Sequence, residues 1–179
     1  MIIPTMAVSA LAWINENLEP DETLFEWNSG DSTFWYADRA KQVYSVTDSS
    51  SLVTWLKEEL FVREYDNVKI LLAPEDSTFQ EGYAISSTTS FKRYCYAIEQ
   101  FPTRSFDWII IDGYKREKCL PLAMQSIKYG GVIVMTETDV PEHLDAMNQM
   151  LSKALEFHHF KSVSTTQDKL TQTTVMRVV

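Results

Sequence analysis

Leu24-Phe25-Glu26-Trp27-Asn28-Ser29-Gly30-Asp31-Ser32-Thr33 is the stretch whose reading decides the fold. Its first residues read as a short buried strand that stops abruptly in small and polar groups. Gly30 marks a strand-to-helix turn, and the helix that follows points its first N–H groups back at that turn. A second stretch, Phe106-Asp107-Trp108-Ile109-Ile110-Ile111-Asp112-Gly113, has the same form: an apolar strand ending in an acid and a glycine. In an open α/β sheet the ligand crevice lies outside the carboxyl ends of the strands, so chemistry is expected at both endings.

Working outward, strand and helix patterns alternate along the chain. Ala7 to Asn17 reads as a helix with Val8, Leu11, Ala12 and Ile14 near one face. Asp31 or Ser32 can cap a helix over Thr33 to Ala40, since either side-chain oxygen accepts from first-turn N–H groups. Gln42 to Val46 is a second strand ending in Thr47-Asp48-Ser49, and Ser51 to Phe61 a helix. Asn67 to Ala73 is a third strand, apolar enough to be covered on both faces. Asp76 to Ser90 reads as a long functional loop, and Phe91 to Gln100 as a helix. Lys118 to Tyr129 is expected to be helical and closed by Gly130-Gly131, with strand Val132 to Met135 after it. Pro141 to Phe157 is expected to be helical, and His159 to Ser164 and Thr173 to Val178 to form a terminal antiparallel hairpin.

That order, with the residues quoted, resembles the class I S-adenosylmethionine-dependent methyltransferases. Glu26-x-x-Ser29-Gly30-x-Ser32-Thr33 is similar to the family's first cofactor motif. Phe106-Asp107-x-Ile109-Ile110-Ile111-Asp112-Gly113, followed by Arg116 and by Gly130-Gly131-Val132-Ile133-Val134, is similar to its strand-four to strand-five segment. The resemblance implies a doubly wound α/β fold in three layers, Rossmann-like, with seven strands in the order 3-2-1-4-5-7-6 and strand 7 antiparallel. It implies S-adenosylmethionine as cofactor. Glu26, Trp27 and the Asn28-Ser29-Gly30 turn, with Ser32 and Thr33, would lie around its amino-acid part. Thr47 or Asp48 would approach the ribose hydroxyls, Glu75 and Asp76 the adenine, and Asp112 the methyl group. Asn28 departs from the pattern by standing in a glycine's place, and Thr47 stands where the ribose acid is expected. Thr136-Glu137-Thr138-Asp139 replaces the acid that metal-dependent relatives carry after strand five, so no metal is expected.

The residues support part of this without the family name. Gly30 allows close backbone approach to a ligand. An acid about 20 residues beyond such a glycine can accept two ribose O–H bonds, and Asp48 lies near that distance, with a plain strand-end cap as the competing reading. Ser32 and Thr33 lack the surroundings of a nucleophile elbow, and the turn lacks the Lys of a phosphate loop. Lys115 and Arg116 could steer an anionic substrate, although a solvated loop is the simpler expectation. Trp27 is the tryptophan placed to stack on a cofactor. Adjacent His158 and His159 would point to opposite faces of a strand and cannot chelate one ion together.

Composition bounds the rest. The 179 residues are 45% hydrophobic and 23% charged, which suits one globular domain over 1–179. A net charge of −9 argues against a general nucleic-acid binder, so the expected partner is a small-molecule substrate rather than nucleic acid. Cys95 and Cys119 fit no zinc or redox spacing. No run approaches the roughly 20 apolar residues of a membrane span, and a cytoplasmic protein without membrane partners is expected. Oligomeric state is left open by the sequence. The function expected is methyl transfer to a small acceptor, with Asp112 as base or orienter. The alternative is a catalytically inactive module of the same fold that binds a nucleoside-containing ligand or a protein. An NAD-dependent oxidoreductase ranks below both, because the turn has one glycine rather than Gly-x-Gly-x-x-Gly.

Overall fold

The structure, a computed structural model, describes residues 3–74 and 91–179. The strands are β1 (Thr23–Trp27), β2 (Gln42–Thr47), β3 (Val68–Leu72), β4 (Phe106–Ile111), β5 (Ile127–Met135), β6 (Ala154–Val163) and β7 (Leu170–Val178). They form one sheet in the order β3-β2-β1-β4-β5-β7-β6. β7 runs antiparallel to both β5 and β6, and the other described pairings are parallel. The helices are α1 (Val8–Asn17), α2 (Asp31–Ala37), α3 (Ser50–Val62), α4 (Lys92–Tyr96), α5 (Arg116–Ser126) and α6 (Pro141–Asn148). This is the expected topology, including the antiparallel seventh strand.

Period-two alternation sends each central strand's side chains to two separate cores. Phe25, Trp27, Ile109, Ile111, Ile133 and Met135 face a layer containing α4, α5 and α6. Leu24, Trp108, Ile110, Val132 and Val134 face α1 and α2. The strands of the sheet centre are buried on both faces, which fits their near-continuous apolar composition. β3 differs from expectation here: it is the sheet edge, and none of its side chains is fully buried.

Several local boundaries also differ. The buried face of α1 is Ala10 and Ile14, while Val8 and Ala12 are exposed. The helix expected to run to Tyr129 ends at Ser126, and Gly130-Gly131 lie inside β5 instead of closing the helix. The reason is close packing on β4. A Cβ on Gly131 would stand 2.9 Å from the Asp107 carbonyl oxygen, beside the register shift between Phe106 and Trp108. β6 starts at Ala154, so the last helix is shorter than its sequence pattern suggests. These residues pair instead with β7, from Ala154↔Val178 to Val163↔Leu170. Among the described residues, no helix is long and apolar enough to cross a membrane.

The N-terminal segment joins the far end of the chain. Met6 N–H donates to Thr165 Oγ1 at 3.1 Å, Thr165 N–H to the Met6 carbonyl at 2.9 Å, and Thr165 Oγ1 to the Pro4 carbonyl at 2.5 Å. Ala7 pairs with Ser164. Residues 3–6 are thereby held against the β6–β7 turn, above the carboxyl ends of the strands.

Candidate active site

The carboxyl ends of β1, β4 and β5 open into a cavity of about 620 Å³. Its walls include Asn28, Ser29, Gly30, Asp31 and Ser32 from the β1–α2 turn, with Asp112, Arg116 and Glu137. Met6 and the 164–171 turn region close the opposite side. A volume of this size suits a small organic ligand.

The β1–α2 turn is shaped by a residue the sequence reading treated as a departure. Asn28 has φ +90°, a left-handed conformation in which glycine is usual and Asn is the best-tolerated alternative. Its Nδ2 donates to the Asp112 carbonyl at 3.3 Å, tying the ends of β1 and β4 together. Gly30 precedes α2 as its cap, so neither Asp31 nor Ser32 takes that place. Instead Gly30 N–H donates to Thr33 Oγ1 at 3.1 Å and Thr33 N–H to the Gly30 carbonyl at 3.1 Å. A Cβ added at Gly30 would meet no atom within 4 Å, so the missing side chain leaves space in the cavity rather than relieving a clash.

Glu26 lies beneath this turn, only 1% exposed. Thr33 Oγ1 donates to its Oε1, and Ser45 Oγ lies 2.6 Å from both Glu26 Oε1 and Ser29 Oγ. Having one proton, the Ser45 hydroxyl donates to Glu26 and accepts from the Ser29 hydroxyl. Burial pushes the Glu26 carboxyl up to about 7, against the opposing hydrogen bonds from Ser45 and Thr33. Glu26 and Thr33 therefore brace the turn from below and do not line the cavity.

Asp112 stands at the other wall. Thr136 Oγ1 donates to its Oδ1, and Arg116 Nη2 reaches the same oxygen at 3.4 Å and the Asp112 carbonyl at 3.1 Å. Burial raises its pKa to about 6, with Thr136 and Arg116 opposing. Arg116 continues to Glu137 Oε2 at 3.2 Å and donates through Nε to Thr136 Oγ1 at 3.2 Å. Arg116 is thus built into the site and is not part of a solvated loop.

The expected site residues divide clearly. Asn28, Ser29, Gly30, Ser32 and Asp112 line the one cavity. Trp27 does not: its ring is fully buried against Phe25 at 4.8 Å, and its indole N–H donates to the Tyr94 carbonyl at 3.0 Å. As the last residue of β1 it points into the core, so stacking on a ligand is corrected to a packing role. Thr47 is also turned under, 4% exposed, with its Oγ1 accepting from Ser49 N–H at 3.2 Å. Asp48 lies just beyond the end of β2 and is half-buried, so the strand alternation no longer fixes its direction. Glu75 and Asp76, and the loop expected over Asp76–Ser90, lie outside the described residues. The N-terminal segment was expected to help set specificity, and residues 3–6 do line the cavity, whereas sequence reasoning missed Glu137, Lys169 and the wall formed by residues 164–171. Only long-range pairing brings those segments to the site, and no local pattern announces it.

No protein-family model matches the chain, and no curated protein does. Solved structures do. An rRNA methylase from Streptococcus thermophilus superposes with a TM-score of 0.64 at 11% identity, covering 94% of this chain and 93% of that one. A putative rRNA-methylase from Clostridium thermocellum gives 0.66 at 9% identity, covering 96% and 94%. A putative methyltransferase from Streptococcus mutans, solved in complex with SAH, gives 0.62 at 12% identity, covering 93% and 94%. The fold is therefore the Rossmann-like fold of class I methyltransferases.

One expectation is overturned by these likenesses. Overall negative charge was read as arguing against a nucleic-acid partner, yet the proteins similar to this chain include an rRNA methylase and a putative rRNA-methylase. Net charge sums over a whole surface, whereas contacts to phosphate depend on a few local cations. The value of −9 does not carry that argument.

Proposed function

We propose that the chain transfers a methyl group from S-adenosylmethionine to an acceptor bound in the cavity above β4 and β5. The observation that carries this reading is one cavity in which the Asn28–Ser32 turn faces Asp112 and Arg116. The residues suit the cofactor on three counts. The turn keeps its left-handed residue at Asn28, Gly30 leaves open space where a side chain would project, and the start of α2 presents N–H groups.

In this reading Asn28, Ser29, Gly30 and Ser32 hold the amino-acid end of the cofactor, with Glu26 and Thr33 fixing the turn. Asp48 receives the ribose hydroxyls, and Glu75 and Asp76 keep their proposed place near the adenine. The sulfonium of the cofactor supplies the activated methyl group. The protein's own part is to align the acceptor and to take up its proton. Asp112, held by Thr136 and Arg116, is ionised at neutral pH and close enough to neutrality in pKa to act as that base. The acceptor enters from the side of residues 3–6 and 164–171. A non-catalytic module has no observation of its own in its favour, since Asp112 is both in the cavity and oriented.

Calorimetry with S-adenosylmethionine and S-adenosylhomocysteine tests the reading. Both are expected to bind the wild-type chain. Gly30→Val is expected to leave the fold intact, because a Cβ at this position meets no protein atom within 4 Å, and to remove binding by filling the cavity. Absence of binding to either compound at high micromolar concentration overturns the proposal. Once an acceptor is in hand, transfer is expected to rise with pH through about 6, and Asp112→Asn to erase that limb.

A further inference from the structure

Two cations converge on a single carboxylate at the cavity wall. Glu137 Oε2 lies 3.2 Å from Arg116 Nη2, and its Oε1 lies 3.5 Å from Lys169 Nζ. Arg116 belongs to the first turn of α5 and Lys169 to the β6–β7 turn, so the bridge joins elements far apart in sequence. All three residues line the same cavity as Asp112.

The Arg116 guanidinium does not depend on Glu137 for its place, and neither does the main chain that carries Lys169. Arg116 is separately anchored by the Asp112 carbonyl and by Thr136 Oγ1. The Lys169 backbone is fixed by Ser164 N–H donating to its carbonyl at 2.8 Å. Glu137 is the removable member: its side chain is 41% exposed, and ion pairs of that exposure hold weakly. Its backbone has φ +53°, an unusual conformation for a glutamate, which aims it into the gap between the cations. The other acids of the cavity are engaged or distant in the chain. Asp112 is bonded by Thr136 and Arg116, and Asp31 begins α2 beside the cofactor turn.

Resting on the methyl-transfer reading above, we infer that Arg116 and Lys169 form a subsite for an acidic group of the acceptor, a carboxylate or a phosphate. Glu137 holds that place in its absence and swings to solvent when the acceptor binds. Arg116 also touches Asp112, so an acceptor gripped by its acidic group is delivered next to the base. The subsite selects acceptors by charge and sets their register before any chemistry occurs.

The test uses acetate and inorganic phosphate as probes, at constant ionic strength, on the chain saturated with S-adenosylhomocysteine. Binding is followed by the NMR shifts of amides at and around Arg116, Glu137 and Lys169. At least one probe is expected to shift these amides, and the stronger of the two identifies the acid. Glu137→Gln, which removes the internal competitor, is expected to tighten that probe by roughly fivefold, and Lys169→Gln to weaken it by a similar factor. Unchanged affinity in Glu137→Gln, or no shift at these amides, overturns the inference. So does tighter binding of methylammonium than of either anion. A response confined to the chain without S-adenosylhomocysteine, when that compound binds, assigns the cations to the cofactor's own carboxylate and also overturns it. Failure of S-adenosylhomocysteine to bind sinks the methyl-transfer reading instead. The Glu137→Gln comparison on the unliganded chain then still decides whether the cation pair takes anions.

Discussion

The two strand ends that meet at the cavity solve the same problem by opposite means. The β1–α2 turn rests on Glu26, a buried acid bonded, among the described residues, by hydroxyl groups. The β4–α5 turn carries Asp112, bonded by a hydroxyl and a guanidinium and open to the cavity. Burial is the first cause of the raised pKa in both, yet only Asp112 has a cation to oppose it. The acid without a cation forms part of a rigid frame. The acid with one faces the cavity, where the proposed function uses it as a base. Burial alone therefore does not separate the two acids; access together with a compensating charge does.

That contrast can be broken from the frame side first. Glu26 has a folded-state pKa of about 7 against 4.5 for the free side chain. The folded chain thus holds an extra proton between those values, and stability from this group is present at low pH and lost as pH rises to about 7. Glu26→Gln cannot titrate. Relative to wild type it is expected to gain stability across that window, by up to roughly 3 kcal/mol above pH 7, as read by urea melts at pH 4 and pH 8. A difference that does not change with pH would mean that Glu26 is no frame acid of this kind.

The β4–α5 turn is expected to answer through packing. A Cβ on Gly113 would stand 1.8 Å from the Tyr94 hydroxyl oxygen, and that hydroxyl is buried with no hydrogen-bond partner among the described residues. Gly113→Ala is expected to cost about 2 kcal/mol in denaturant melts, and adding Tyr94→Phe to recover part of it. Equal loss in the single and double variants would break the assignment of the clash to that oxygen. The smallest effect belongs to Asn28. Asn28→Ala is expected to cost about 1 kcal/mol and Asn28→Gly roughly half that or less, because only the alanine retains the strained φ without the side-chain bond to Asp112.

Much of the frame was legible in the sequence, because strand periodicity and the order of elements are local properties that the sheet preserves. That the first turn would lie at a cavity was legible too, though its parts were assigned differently. One glycine was expected to provide both backbone freedom and space. The structure divides these: Asn28 takes the left-handed conformation, and Gly30, extended at φ 175°, supplies the space. Trp27 and Thr47 were misread because a strand-end position does not say which way the last side chain turns. Gly130-Gly131 misled for a related reason. Glycines after a helical pattern read as a stop, but Gly131 serves a close approach to the Asp107 carbonyl that only the folded sheet creates, and Gly130 takes a left-handed φ of +76° inside the strand. Arg116 was visible as a charge and invisible as a ligand, since its partners Thr136 and Glu137 lie a full strand away.

The latch between residues 3–7 and the β6–β7 region has a consequence for the order in which the protein is made. Its hydrogen bonds join residues 159 to 166 positions apart, among them Met6 to Thr165 and Ala7 to Thr173. Synthesis runs from the N-terminus, so residues 3–7 emerge well before the β6–β7 region and wait for it before they find these partners. A nascent chain can assemble β1 to β5 with the cavity still lacking one wall. The cavity takes its full lining only after the β6–β7 hairpin has been made.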